Sequence, residues 1–113
     1  MPRTSSGTAR IFYPQLTRQE LVAELQARLP ALAEALPLAE VVLFGSWATG
    51  RATAFSDIDL LAIYHGPPRD DAYSIIWRCL RLRGLELHVY SEGEATLLRP
   101  TLDRMTRDGV QLL

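Results

Sequence analysis

Two aspartates separated by one residue are the residues of this chain best suited to chemistry. Asp57 and Asp59 stand at the start of an apolar run that ends at Tyr64. Because side chains alternate along a β-strand, the two carboxylates are predicted to project from the same side, roughly 6–7 Å apart along the strand. Such carboxylates repel each other and are costly to remove from water, and a divalent cation offsets both effects. The spacing predicts a metal site, with solvated strand-end carboxylates as the simpler alternative.

A glycine–serine pair lies ten residues before these aspartates. Gly45 and Ser46 follow the apolar segment 38–44. Glycine permits a sharp turn and places no side chain beside a bound group. The Ser46 hydroxyl and the free N–H groups at the start of a short helix favour an anion. We therefore expect a phosphate-binding turn next to the metal site. A second role for Ser46, as the cap of that helix, is compatible with the first.

Hydrophobic periodicity and helix-capping patterns predict the elements that must position these residues. Two capping boxes, at 17–20 and 91–94, each open a helix. Pro30 is predicted to interrupt the first helix, and Pro100 to bend or split the last. The predicted elements are a helix from residue 17, strands at 38–44, 57–64 and 85–90, a short helix at 45–50, a loop at 51–56, a helix at 70–83 capped by Gly84, and an apolar tail at 110–113.

Composition narrows the class of protein. The chain has 113 residues, 48% of them hydrophobic, and a net charge of −1, so charge offers no argument for bulk nucleic-acid or membrane binding. All twelve basic residues are arginines, which excludes a catalytic lysine, and the single cysteine, Cys79, is read as a core residue. We expect a mobile segment at 1–10, one domain at 11–113, no signal peptide and a cytoplasmic location.

The motif and its surroundings resemble a known superfamily. The stretch LFGSWATGRATAFSDIDLLAIY, residues 43–64, carries Gly-Ser, ten residues and Asp-x-Asp. This pattern is similar to the signature of the polymerase-β-like nucleotidyltransferases, and in particular of their minimal members. Those small proteins often accompany an all-helical HEPN partner, and several are antitoxins. The resemblance covers about residues 38–90 and implies an α/β fold, a small mixed sheet of three or four strands with flanking helices.

The resemblance also implies an activity and a set of site residues. Asp57 and Asp59 would hold Mg²⁺, and the family's third carboxylate would come from Glu86 in place of the usual aspartate. Gly45, Ser46 and Arg51 would contact the phosphates. The implied reaction transfers AMP from ATP to a hydroxyl, and a tyrosine of a HEPN partner is the acceptor that the resemblance suggests. A nucleic-acid acceptor is not expected, and a homo-oligomer is possible on this reading.

Several residues have a plainer interpretation. Glu86 is also readable as an ordinary exposed strand residue, and His88, on the same face, as a hydrogen-bonded structural residue or a weaker ligand. Arg51 is also readable as a solvated loop residue, and Trp47 as a packing residue under the short helix or a stacking partner for a base. An arginine cluster on the third helix is read mainly as a solvated face, with a contact to a partner or to RNA as the alternative; its members are Arg78, Arg81 and Arg83.

Two other functions compete with the enzyme. One is an antitoxin or regulatory module that neutralises its partner by forming a complex. Glu86, which replaces the family's usual aspartate, is the residue that favours this alternative. The other is a metal-dependent nuclease built on the same acids, in which the Gly45–Ser46 turn would have no purpose. Loss of nucleotide transfer when Asp57 or Asp59 becomes asparagine would separate the enzyme from the binding module.

Overall fold

The computed structural model describes residues 17–53 and 56–113. The segment predicted to be mobile, 1–10, lies outside these residues. Within them the chain forms helices and strands in alternation, as the sequence order predicts. The elements are α1 (Arg18–Ala35), β1 (Leu38–Phe44), α2 (Ser46–Thr49), β2 (Ile58–Tyr64), α3 (Ala72–Leu80), β3 (Leu85–Ser91), α4 (Glu92–Met105) and β4 (Val110–Gln111).

The strands form one mixed sheet with the order β3-β2-β1-β4. β1 pairs antiparallel with both β2 and β4, whereas β2 and β3 are parallel and are joined through α3. This arrangement confirms the α/β class and the small mixed sheet. The apolar tail, predicted only as a tail, supplies the fourth strand, and Leu112 just after it is buried.

Helices cover the sheet unequally on its two faces. On one face of the sheet, side chains such as Leu43, Leu60 and Leu87 pack with α1 and α3 in the main core. On the other face, side chains pack with α4 in a smaller cluster that includes Leu61 and Leu102. Asp59, Glu86 and His88 belong to this second face, because side chains alternate along each strand.

Both prolines that were expected to disturb helices lie inside them. Pro30 sits in α1, which runs on to Ala35, so the predicted interruption is wrong. Leu29 and Leu32 on either side of it are buried in the core, and burial of such side chains stabilises by about 1.5–3 kcal/mol each, enough to offset one missing hydrogen bond. Pro100 likewise lies within α4, which is one helix.

The third helix is shorter than its amphipathic pattern predicts. α3 ends at Leu80, and Arg81 caps it in a left-handed conformation (φ 48°), so Gly84 is not the cap. The cap N–H of Arg81 donates to the carbonyl of Trp77. Cys79 is partly buried against the core, as expected, and Arg78 is exposed.

Candidate metal and nucleotide site

Two carboxylates and an imidazole lie together on the face of the sheet that α4 packs against, at the end where the two parallel strands begin. In the β2–β3 ladder Asp59 is directly opposite Glu86, and Leu61 is opposite His88. Asp59, Glu86 and His88 each offer a ligand atom, and these three atoms lie within 4.8 Å of one another. α4 begins only after the far end of β3, so Glu86 remains exposed and Asp59 and His88 are half-buried. These three residues are called the β2–β3 cluster below.

Asp57, predicted as a partner of Asp59, does not belong to the β2–β3 cluster. It precedes β2, which begins at Ile58, and its side chain is exposed. Its charge still reaches the site, because its repulsion contributes to the raised pKa of Asp59. Asp57 therefore flanks the cluster that Glu86 and His88 form with Asp59.

Burial is the main reason that the Asp59 carboxyl has a raised pKa. The charge of Asp57 adds to this rise, whereas the imidazole of His88 opposes it. A carboxylate that is partly removed from water beside a second carboxylate gains from a bound cation, which neutralises the local charge. The electrostatics of Asp59 therefore suit a residue that holds a divalent ion.

Gly45 is shaped to make room for Asp59. It has φ 77° and ψ −154°, a conformation essentially confined to glycine. A Cβ atom at this position would overlap Asp59 Oδ2 and lie 3.2 Å from Asp59 Cγ. In the β1–β2 ladder the preceding residue, Phe44, is directly opposite Asp59. The absence of a side chain at Gly45 thus serves the carboxylate as well as the turn.

The turn after β1 leads into α2. Ala48 and Thr49 donate their N–H groups to the carbonyl of Gly45, and the N–H of Arg51 donates to the carbonyl of Ser46. Ser46 is the first residue of the helix, and the cap position belongs to Gly45. The N–H groups of Ser46 and Trp47 precede any intrahelical acceptor, so they are available to an anion.

The short helix is anchored by a buried side chain and by a hydrogen bond from α1. Trp47 is only 6% exposed and belongs to the main core, which agrees with the packing role and excludes a base-stacking surface at this side chain. Arg18 donates a 2.7 Å hydrogen bond to the carbonyl of Ala48. No sequence pattern predicts this contact, because it joins a residue in the first turn of α1 to a carbonyl 30 residues away.

Arg51 is not brought into the cluster. Its side chain is exposed and forms no ion pair with the residues at 17–53 and 56–113. It follows Gly50, which ends α2 in a left-handed conformation with φ 81°. Arg51 is thus close in sequence to the phosphate-binding turn and free to move toward an anion.

The side chain of His88 does not make the hydrogen bond that its main interpretation predicts. No hydrogen bond joins its side chain to any described residue, although a structural, hydrogen-bonded role was favoured. Its ring packs instead against Phe44, with centroids 5.3 Å apart and planes inclined at 55°. The signal that pointed to His88 was its position two residues after Glu86, on the same face.

Comparisons with known proteins define the class and then the family. A sequence profile of the nucleotidyltransferase domain matches residues 23–110. The chain therefore belongs to the nucleotidyltransferase domain family. No match was found among curated proteins.

Solved structures share the fold. A protein from Sulfolobus solfataricus, proposed to be a nucleotidyltransferase, superposes with a TM-score of 0.61 at 24% identity, over 93% of this chain and 90% of that chain. A chain of a toxin–antitoxin complex with AMP-PNP superposes with a TM-score of 0.53 at 20% identity, over 78% and 72%. In the described residues no helix is long and apolar enough to cross a membrane.

Proposed function

We propose that this protein transfers a nucleoside monophosphate, AMP from ATP, to a hydroxyl group with the help of a divalent cation. The observation that supports this most directly is the convergence of Asp59 with Glu86 and His88 beside the Gly45–Ser46 turn. Carboxylates and phosphate-binding N–H groups are the two things that a metal-bound triphosphate requires. Membership of the nucleotidyltransferase family makes this the reaction class to test first.

Each element of the site has a proposed role. Asp59 and Glu86, with Asp57 at the rim, would hold Mg²⁺, which would neutralise charge on the triphosphate and lower the pKa of the attacking hydroxyl. The N–H groups of Ser46 and Trp47 and the exposed guanidinium of Arg51 bind phosphate oxygens. The acceptor oxygen attacks the α-phosphorus, the bond from that phosphorus to the bridging oxygen breaks, and pyrophosphate leaves. The acceptor proton passes to solvent at the exposed side of the cluster.

The acceptor proposed is a tyrosine of a helical HEPN-type protein, encoded as a partner of this chain. A protein acceptor carries its own reactive hydroxyl and completes the cleft, so the small domain needs no separate acceptor-binding part. The likeness to a chain from a toxin–antitoxin complex supports this choice at the level of the fold. The proposal places the protein in the cytoplasm, where ATP and Mg²⁺ are abundant.

Label transfer from α-labelled ATP tests this function. The protein is incubated with Mg²⁺ and a candidate HEPN partner, and transfer to the partner is measured beside competition by the other nucleoside triphosphates. Asp59→Asn should abolish transfer. Asp70→Asn is the matched control, because Asp70 is an exposed aspartate just before α3, beyond the other end of β2. Transfer that survives Asp59→Asn would refute the proposal.

A second function is a binding module that neutralises a toxin without chemistry. Tyr73 and Trp77 support it, because they lie one turn apart on α3 and are 51% and 41% exposed. Exposed aromatic side chains are enriched in protein interfaces. Toxin neutralisation that is unchanged by Asp59→Asn but is lost in a Trp77→Ala variant would favour the module over the enzyme.

A further inference from the structure

Among residues 17–53 and 56–113, His88 is held at the cluster by a ring contact and not by a hydrogen bond. Its ring packs on Phe44, a residue only 8% exposed, and this contact restricts the imidazole without using either nitrogen. No hydrogen bond from the described residues satisfies those nitrogens. A ring nitrogen of this half-buried imidazole is therefore available at the cluster, to solvent or to an ion.

The ligand nitrogen of His88 lies near both carboxylates of the cluster without contacting either of them. Its ligand nitrogen lies within 4.8 Å of the carboxylate oxygens of Asp59 and Glu86. No ion pair within 4.0 Å joins this nitrogen to either carboxylate. The gap is therefore too wide for a hydrogen bond. Neighbouring donor atoms on one ion lie about 3–3.5 Å apart when each is about 2.0–2.2 Å from it, so a small side-chain rotation would bring the three groups onto one ion.

The chemistry of the three side chains discriminates between cations. Mg²⁺ requires hard oxygen ligands and gains little from an imidazole. First-row transition metals accept imidazole readily, and their affinity for mixed nitrogen and oxygen sites rises from Mn²⁺ through Co²⁺. Two carboxylates alone would discriminate weakly, so the nitrogen is the part of the site that can set a preference.

We propose that Asp59, Glu86 and His88 together bind a divalent transition-metal ion, such as Mn²⁺ or Co²⁺, more tightly than Mg²⁺, with His88 as the ligand that sets this preference. The inference rests on the proposed function, because it concerns the cation of the same site. It adds that Mg²⁺ serves through its abundance, whereas the protein without nucleotide selects the ion that accepts nitrogen. Phe44 is the positioning residue that holds the imidazole toward the carboxylates.

The experiment measures metal binding in the absence of nucleotide. Co²⁺ is titrated by its visible absorption and Mg²⁺ by calorimetry, for the wild type, His88→Gln and His65→Gln. His65 is the matched control, because it is the only other histidine and contacts Glu92 beyond the far end of the sheet, at 3.1 Å. Circular dichroism establishes that each variant is folded.

The expected result is selective. The wild type should bind Co²⁺ at least about tenfold more tightly than Mg²⁺, and His88→Gln should lose about tenfold of its Co²⁺ affinity with less than about a threefold change for Mg²⁺. His65→Gln should match the wild type. Unchanged Co²⁺ affinity in His88→Gln, or equal losses for both ions, would overturn the inference.

A measurement on the wild type guards against misfolding of the variant. Substoichiometric Mn²⁺ should broaden the imidazole NMR signals of His88 and leave those of His65 sharp. Broadening of both or of neither would also overturn the inference. The two proposals fail separately: selective metal binding without AMP transfer removes the enzyme, whereas transfer with no selectivity at His88 removes only the nitrogen ligand.

Discussion

Replacement of Gly45 by alanine tests whether the turn exists to make room for Asp59. The backbone conformation at Gly45 costs a residue with a side chain about 1–3 kcal/mol. The new Cβ would also overlap Asp59 Oδ2. The carboxylate is the flexible end of a side chain, so it moves aside at small energetic cost, and it leaves the position where it faces Glu86. We therefore expect moderate destabilisation together with a loss of metal affinity of about tenfold, which corresponds to about 1.4 kcal/mol.

Gly50 provides the matched control. It also has a positive φ, 81°, and a Cβ added there would meet nothing within 4 Å. Gly50→Ala should cost about 1–2 kcal/mol of stability through the backbone alone and leave metal affinity within about twofold of the wild type. Chemical denaturation measures stability and calorimetry measures metal affinity for both variants on the same preparations.

A double-mutant cycle then isolates the contact. In an Asp59→Ala background the overlapping oxygen is absent, and the nearest atom is the Cβ of residue 59 at 3.4 Å. The stability cost of Gly45→Ala should therefore fall by about 0.5–1 kcal/mol in that background. If Gly45→Ala binds metal as tightly as Gly50→Ala does, the close approach to Asp59 has no functional role and this reasoning is refuted.

Three other predictions follow from the site and its support. Folding raises the pKa of the Asp59 carboxyl, so the ionised carboxylate lowers the stability of the metal-free protein once the pH has risen through that pKa. In EDTA at pH 7, Asp59→Asn should therefore melt at the same temperature as the wild type or up to about 6 °C higher, and this difference should disappear near about pH 3. A large drop in melting temperature would mean that Asp59 has a structural role. Glu86→Ala should raise the Mg²⁺ concentration for half-maximal transfer by about tenfold with little change in ATP affinity, and wild-type behaviour would dismiss it as a ligand. Ser91 is fully buried and its hydroxyl accepts the N–H of Glu94, so Ser91→Ala should cost about 1 kcal/mol in denaturation, and no measurable cost would argue against this cap.

The sequence predicted the strands well because their patterns are local. β1 was placed with the observed limits, 38–44, and β2 and β3 within one residue at one end. The two capping boxes also mark the observed helix starts, since each depends on residues three positions apart. Local periodicity and capping were sufficient for these elements, and together with the motif they sufficed for the α/β class.

Features that depend on distant partners were missed. The two-residue strand β4 carries too little periodicity to reveal its pairing with β1. The continuation of α1 through Pro30 depends on burial against the sheet, which no local pattern expresses. The same limit applies to the site. Alternation predicted that Glu86 and His88 share a face, but only the β2–β3 register puts Glu86 opposite Asp59 and leaves Asp57 outside the cluster.

The parallel pairing of β2 with β3 has a consequence for how this domain folds. Asp59 and Glu86 become neighbours only after the connection through α3 has closed, and parallel strands joined by such crossovers are slow to pair because loop entropy is lost first. A cation that bridges the two strands recognises only chains in which this step is complete. Adding metal should accordingly slow unfolding and leave the refolding rate nearly unchanged, because the ion would stabilise the folded sheet and not the transition state for folding.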